Sequence, residues 1–332
     1  MHGLKNNATA ALLSAFFSAG AMAQVPALNL DTDHITVSGL SSGGYMANQF
    51  HLAYSDWIDG AGILAAGPYY CAKGDISTAL SQCVDKTEPA IDVDALTGKV
   101  KTLAQEGKLA PLSALQNDKV WLFHGTRDVR VNSAVSDALN AQYAALMPAE
   151  QITYVNNKPV AHLFPTKNNG GQCMSSDSPY IGRCDYDAAG EMLNFLLDGL
   201  QPASDKLSGE VMSFSQQTLA GDNASTMAET GYAYIPASCR EGEKCRVHVS
   251  FHGCNQYAEA VGKAYVEQTG LNNWADSNNM VVVYPQTRKS LFMPLNPQGC
   301  WDWWGYTGED YATRSGEQIN AVRDIVLGLS SN

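Results

Sequence analysis

The feature that most constrains this chain is a short β-branched run that breaks into a serine turn near its start. His34-Ile35-Thr36-Val37-Ser38 reads as a strand and leads straight into Gly39-Leu40-Ser41-Ser42-Gly43-Gly44-Tyr45-Met46. A helix-compatible stretch, Met46-Ala47-Asn48-Gln49-Phe50-His51-Leu52-Ala53, follows without a spacer. Strand, turn and helix in register give the G-x-S-x-G pattern its meaning. The glycines let helix and strand approach closely while the turn projects one hydroxyl from the backbone, the geometry of a nucleophile elbow. Ser41 is therefore the candidate nucleophile. Without chemistry around it, the segment would be only a Gly/Ser-rich strand-to-helix loop.

Upstream, Lys5 supplies a weakly positive start, Ala8 to Ala19 is rich in Ala, Leu and Phe, and Ala21-Met22-Ala23 offers a small-x-small cleavage site before Gln24. Residues 1–23 are expected to be a secretory signal peptide, too short for a membrane span. The remaining 309 residues (332 − 23) suit one large α/β domain spanning 24–332, secreted or periplasmic. No other segment reaches the ~20 uninterrupted apolar residues of a membrane span. Lys+Arg 21 against Asp+Glu 33 gives −12, or −13 once Lys5 is removed. With no basic stripe, nucleic acid and anionic membrane surfaces are not expected partners. A monomer is expected.

Eight cysteines in an exported chain read as disulfides rather than ligands. Eight allow about 105 connectivities. Proximity favours Cys71–Cys83, Cys173–Cys184 and Cys239–Cys245 as small-loop staples and leaves Cys254–Cys300 as a long-range pair. No C-x-x-C or H-E-x-x-H spacing supports a metal site, and no cofactor is expected.

Strand candidates alternate with helical patterns along the chain. The strands are Gly62 to Ala66, Lys119 to Phe123, Gln151 to Val155, Val211 to Phe214, Tyr232 to Ile235, Arg246 to Phe251 and Met280 to Tyr284. Helical patterns cover Ala134 to Leu146, Asp187 to Leu200 and Glu317 to Leu329. Such alternation implies a mostly parallel sheet covered by helices. Gln201 to Gly231 is the least patterned stretch and reads as a connection within one domain.

A serine nucleophile needs a general base, and the base an orienting carboxylate. The strand ending at Phe123 runs into His124-Gly125-Thr126-Arg127-Asp128, which places Asp128 at the C-terminal edge of the sheet, where catalytic loops gather. The base candidate is His162, in Val160-Ala161-His162-Leu163-Phe164, after the strand Gln151 to Val155. Of the seven histidines, His2 goes with the signal, His34 and His248 sit in or beside strands, and His51 lies on the elbow helix. His124 and His252 precede glycines at strand ends, positions where an imidazole braces a loop. The order Ser…Asp…His is that of α/β hydrolases.

The oxyanion needs two fixed N–H donors, one of them the amide of Ser42, directly after the nucleophile. The other normally comes from a H-G-type loop upstream of the elbow. Here the candidate segment, His252-Gly253-Cys254-Asn255-Gln256, lies downstream, after the strand Arg246 to Phe251. The same site forms if the chain is circularly permuted, with Glu317 to Leu329 as the helix that normally leads into the elbow strand and Gln201 to Gly231 joining the old ends.

At this point the chain resembles secreted poly(3-hydroxybutyrate) depolymerases of the circularly permuted α/β-hydrolase type. The resemblance rests on Gly39 to Met46, His124 to Asp128, Ala161 to Thr166, Phe251 to Gln256 and Cys300-Trp301-Asp302-Trp303-Trp304-Gly305-Tyr306. It implies a Ser41-His162-Asp128 triad, an oxyanion hole of the Ser42 and Cys254 amides, and a polyester polymer or oligomer as substrate. Many extracellular members carry a linker and a separate polymer-binding domain. This sequence has neither, so it resembles the single-domain members, with amorphous granules or soluble oligomers as the expected substrates.

The aromatic run 301–306 suits an apolar cleft. Core packing beside a disulfide accounts for one or two of its tryptophans, and Trp304 is the candidate cleft residue. Two alternatives stand beside this reading: a secreted feruloyl or acetyl carbohydrate esterase with the same machinery, and a non-catalytic polymer- or granule-binding protein on a hydrolase scaffold.

Overall fold

The computed structural model describes residues 25–330, so the expected signal peptide lies outside the described residues. The strands, in chain order, are β1 (Leu30–Leu40), β2 (Ile58–Leu64), β3 (Lys119–Phe123), β4 (Ile152–Val155), β5 (Phe164–Thr166), β6 (Gly171–Gln172), β7 (Ile181–Arg183), β8 (Glu210–Ser215), β9 (Thr230–Ile235), β10 (Cys245–Phe251) and β11 (Met280–Tyr284). Eight of them form one sheet in the order β4-β3-β2-β1-β10-β11-β9-β8. Every neighbouring pair from β4 to β11 is parallel, and β9 runs against both β11 and β8. The short strands β5, β7 and β6 make a separate parallel sheet just after His162.

Parallel strands buried on both faces need near-continuous apolar sequence, and β11 (Met-Val-Val-Val-Tyr) is buried throughout. Its side chains divide by the period of two. Val281 and Val283 join Val37, Phe50, Val322 and Ile325 in one core, while Met280, Val282 and Tyr284 join Leu64, Met192 and Leu271 in the other. The helices Ser42–Ala53 and Glu317–Leu329 cover the first face, and Ala188–Leu196 and Leu271–Ser277 cover the second.

Local departures from the sequence reading have local causes. The strand expected at Gly62 to Ala66 is β2, four residues earlier at its start. Asp59-Gly60-Ala61-Gly62 carries no β-branched signal, yet it is held between β1 and β3. Its glycines make room for a helix: a Cβ on Gly62 would lie 1.9 Å from Met192 Sδ. The helix expected over Asp187 to Leu200 covers only Ala188–Leu196: the Asp187 side chain accepts from the Gly190 amide and caps its start, and Leu197 (φ −122°, ψ 139°) leaves it as extended backbone. Asn132 likewise caps Ser133–Ala144. The weakly patterned stretch holds the edge strand β8 and the short helix Gln216–Ala220.

Renumbered from β8, the sheet reads 1-2-4-3-5-6-7-8, with the elbow strand fifth. The helix Glu317–Leu329 abuts that strand's approach without being joined to it: the Leu28 amide donates to Leu329 O at 3.0 Å, and Leu28 bridges Ser330. This is a circularly permuted α/β-hydrolase sheet, as the early elbow implied.

His248 sits fully buried in β10, bonded to Thr36 Oγ1 through Nδ1 and to Ser38 Oγ through Nε2, each at 2.8 Å. Burial pushes its pKa down to about 3. An unfolded imidazole titrates near ~6.5, so between there and ~3 the unfolded chain binds a proton that the folded chain refuses. Stability is then complete above the unfolded value and is lost as the pH falls through this window. Urea titrations from about pH 7 to about pH 4 should show the unfolding free energy dropping, with a shallower drop in His248→Gln.

Candidate active site

The site is assembled at the C-terminal ends of β1, β3 and β10. β1 ends at Leu40, and Ser41 takes φ 58° and ψ −120°, a left-handed conformation rarely tolerated outside glycine. Its amide is tied to Leu64 O of β2 at 2.9 Å, and the helix Ser42–Ala53 begins at once. Two glycines make this turn possible. A Cβ on Gly39 would fall 2.1 Å from Gly43 O, and one on Gly43 would fall 2.1 Å from Phe251 O of β10. The helix thus rests directly on the backbone that leads to the His252–Gln256 segment.

Asp128 and His162 meet. Asp128 Oδ2 lies 2.7 Å from His162 Nδ1, and Asp128 Oδ1 accepts from the amides of Arg130 (2.8 Å) and Val131 (2.9 Å). Burial alone would raise the Asp128 pKa. The hydrogen bond and charge of His162, with the two amides, outweigh burial and hold it below the usual carboxylate range. An ionised Asp128 can only accept, so Nδ1 of His162 carries the proton and Nε2 is left as the basic nitrogen. The His162 amide is held by Ser176 Oγ at 3.0 Å. Ser41 and His162 line the same cleft, although among the described residues no hydrogen bond joins their side chains. His124, buried and lowered in pKa by that burial, bonds Ser136 Oγ at 3.0 Å, and Ser136 in turn donates to Ala66 O. It braces the loop rather than facing the cleft.

The turn after β10 is pinned peptide by peptide. Gly253 O accepts from His252 Nδ1 (2.7 Å) and from the Gln256 amide (3.2 Å). Within a trans peptide the carbonyl and the next N–H point in opposite directions. Fixing Gly253 O therefore fixes the direction of the Cys254 N–H. His252 is fully buried, and that burial pushes its pKa down to about 4; it stays neutral, with Nε2 accepting from the Thr287 amide at 3.2 Å. Among the described residues neither the Ser42 nor the Cys254 amide has an acceptor inside the protein. Ser42 opens a helix of 12 residues, whose N-terminal end favours negative charge. The turn sits against Ser41: a Cβ on Gly253 would be 3.5 Å from Ser41 Cβ.

A Cys254–Cys300 disulfide fastens this turn to the aromatic loop, and Cys71–Cys83, Cys173–Cys184 and Cys239–Cys245 are the other bridges. Trp301 is buried edge-on to Phe251 (5.0 Å), and Trp303 is buried and stacked on Tyr45 of the elbow helix (4.3 Å, 12°). Trp304 is half-buried, edge-on to Trp303 at 5.6 Å. Both Trp303 and Trp304 line the cleft, which has a volume of about 830 Å³.

Sequence reasoning overlooked what holds this loop. Asp302 is buried, with Oδ1 accepting from the amides of Gly305 (2.7 Å) and Tyr306 (3.0 Å) and Oδ2 from the amide (2.8 Å) and hydroxyl (2.7 Å) of Thr307. Burial pushes its pKa up and these donors oppose the rise. An aspartate followed within five residues by glycine and threonine is an Asx-type turn signal, legible in principle. Among the described residues no cluster of His, Cys, Asp and Glu is placed to hold a metal, and no helix is long and apolar enough to cross a membrane.

Sheet order, elbow and cleft together define an α/β hydrolase. No protein-family model matches the sequence. The chain is 40% identical over 320 residues to a poly(3-hydroxybutyrate) depolymerase of Delftia acidovorans, covering 95% of this chain but 63% of that protein's length. It is 36% identical over 323 residues to a polyhydroxybutyrate depolymerase of Talaromyces funiculosus, covering 92% and 93% of the two. Two solved structures align over 92% of this chain and 98% of theirs with a TM-score of 0.85 and 35% identity. They are PHB depolymerase from Penicillium funiculosum and a serine-to-alanine variant of PHB depolymerase complexed with R3HB trimer. The chain belongs to the poly(3-hydroxybutyrate) depolymerase family.

Gly43→Ala should push the elbow helix off β10 and cost more than about 2 kcal/mol of stability, together with hydrolytic activity. The comparison variant is Gly98→Ala, in the helix Val93–Gln105, where a Cβ meets nothing within 4 Å. It should be neutral or gain up to ~1 kcal/mol. Urea unfolding of the two variants checks both outcomes.

Proposed function

We propose that this protein is a serine esterase that hydrolyses the ester bonds of poly(3-hydroxybutyrate) or its oligomers. The observation that carries the reading is that Ser41, Ser42, His162 and Cys254 line one apolar, aromatic-lined cleft, with Asp128 bonded to His162 behind it and, among the described residues, no acceptor inside the protein for the Ser42 and Cys254 amides. In the proposed reaction His162 Nε2 takes the Ser41 hydroxyl proton as Oγ attacks the ester carbonyl carbon. The oxyanion is received by the amides of Ser42 and Cys254, and Asp128 holds the imidazolium. Collapse breaks the bond to the alcohol oxygen, and His162 returns its proton there to leave a hydroxyl end. Water, deprotonated by the same His162, then releases the hydroxyacyl group from Ser41.

The surroundings suit a weakly polar, insoluble substrate. Ile76, Leu80, Met293 and Leu295 line the cleft while remaining exposed. Leu291 (67% exposed) and Phe292 (84% exposed) extend the apolar rim outward. Exposed apolar patches beside a cleft mark contact surfaces. The relatives named for polyester hydrolysis, and the neighbour bound to an R3HB trimer, support the same substrate class for this chain. We further assign one catalytic domain, exported by residues 1–23 and acting as a monomer. Its four disulfides fit an oxidising compartment.

Ser41→Ala should lower the hydrolysis of both p-nitrophenyl butyrate and amorphous granules by at least ~1,000-fold and abolish labelling by a fluorophosphonate. Retained turnover would refute the nucleophile assignment, and faster release of feruloyl groups than of 3-hydroxybutyrate from its trimer would refute the substrate class. Replacing Leu291 and Phe292 together by serine should slow granule clearing at least about threefold while trimer turnover stays within about twofold. Turbidity and product chromatography report the two rates.

A further inference from the structure

Tyr180 lines the cleft with Ser41 and His162, and its backbone has φ 59°. A bulky aromatic residue in the left-handed region is a genuine outlier, and such strain persists only where surrounding bonds enforce it. Here the enforcing bonds are visible. The Tyr180 amide donates to Asp177 O (2.7 Å), and Tyr180 O accepts from the Phe164 amide (2.8 Å), two residues beyond His162.

This carbonyl accepts a second bond, from the turn after β10. Gln256, 1% exposed, donates from Nε2 to Pro179 O (2.9 Å) and Tyr180 O (3.2 Å), while its Oε1 accepts from the Gly253 amide (2.8 Å). One buried side-chain amide thus joins the turn after β10 to the segment packed against His162. Its own backbone amide holds Gly253 O, the carbonyl whose direction fixes the Cys254 N–H. Among the described residues no protein group hydrogen-bonds the Tyr180 hydroxyl.

We propose that Gln256 is a positioning residue that couples the oxyanion amide of Cys254 to Tyr180, and that Tyr180, so held, contacts the repeat unit next to the scissile ester. This rests on the esterase reading and deepens it. The amide that Gln256 aims acts on charge developing in the transition state, so its loss should fall on kcat rather than on KM. The Tyr180 phenol offers one donor and an aromatic face, which matches a hydroxyacyl unit carrying an ester or hydroxyl oxygen and a methyl group. A simple butyrate ester lacks that oxygen.

The test uses p-nitrophenyl butyrate and the linear 3-hydroxybutyrate trimer. Gln256→Leu is expected to lower kcat on both by about tenfold to a hundredfold, somewhat less than outright loss of an oxyanion donor, with KM for the nitrophenyl ester changing less than about threefold. Affinity for a boronic acid that forms a tetrahedral adduct on Ser41 should fall by the same factor. Tyr180→Phe should cost the trimer at least about fivefold more in kcat/KM than it costs the nitrophenyl ester. A folded Gln256→Leu that keeps kcat within about twofold, or that loses only KM, overturns the positioning role. Equal losses on the two substrates in Tyr180→Phe overturn the contact.

Should Gln256→Leu fail to fold, Gln256→Glu keeps the acceptor for Gly253 and regains a donor only when its carboxyl is protonated. Its pH–rate profile should then lie to the acid side of the wild-type profile, and an unmoved profile overturns the proposal. If wild-type protein and Ser41→Ala hydrolyse the esters equally, it is the esterase reading that fails.

Discussion

The pairing of β1 with β10 is the constraint on which the rest depends. The strands run parallel in a register that sets Ser38 opposite Ser250 and Gly39 opposite Phe251, so both release their chains at the same edge. The elbow helix then leans on Phe251 O through Gly43, and the turn at Gly253 lies against Ser41. Two amides distant in sequence come to frame one serine. Beneath them Thr36, Ser38, His248, Ser250 and Tyr265 form a hydrogen-bonded chain through the sheet, ending on Phe251 O. Buried polar groups are costly unless satisfied, and a fully satisfied set admits few alternative registers.

The same burial acts differently on groups with different partners. His248 and His252 have neutral neighbours and are kept uncharged, which suits bracing. Asp128 is equally secluded but faces an imidazole and two amides, and it stays ionised. The division between residues that hold shape and those that carry charge follows from partners rather than from depth.

Much of this was legible in the amino-acid order. The elbow strand, the aspartate after β3 and the H-G segment after β10 are short motifs tied to strand ends, and their unusual order along the chain implied the permutation. The helix over Glu317 to Leu329 was legible to the residue, because its apolar spacing is strict. Other elements speak only through partners. β2 is a strand because β1 and β3 flank it, and the small sheet of β5, β6 and β7 follows from the Cys173–Cys184 staple and from bonds to the His162 segment. Tyr180 and Gln256 belong to this second kind: one has a strained backbone held by bonds from other segments, and the other bonds carbonyls more than seventy residues away, which local patterns do not encode.

The permuted order also shapes how the molecule comes into being. In the unpermuted arrangement the oxyanion strand would precede the elbow by a short interval. Here β1 emerges first and must wait for β10, after most of the chain has been made. Closing so long a loop carries a large entropic cost before any contact rewards it, and topologies rich in such pairings fold slowly. Ser41 and the neighbouring Ser42 amide are present almost from the beginning of synthesis, but the Cys254 amide arrives late. Hydrolytic competence is therefore among the last properties the chain acquires, a delay written into its topology.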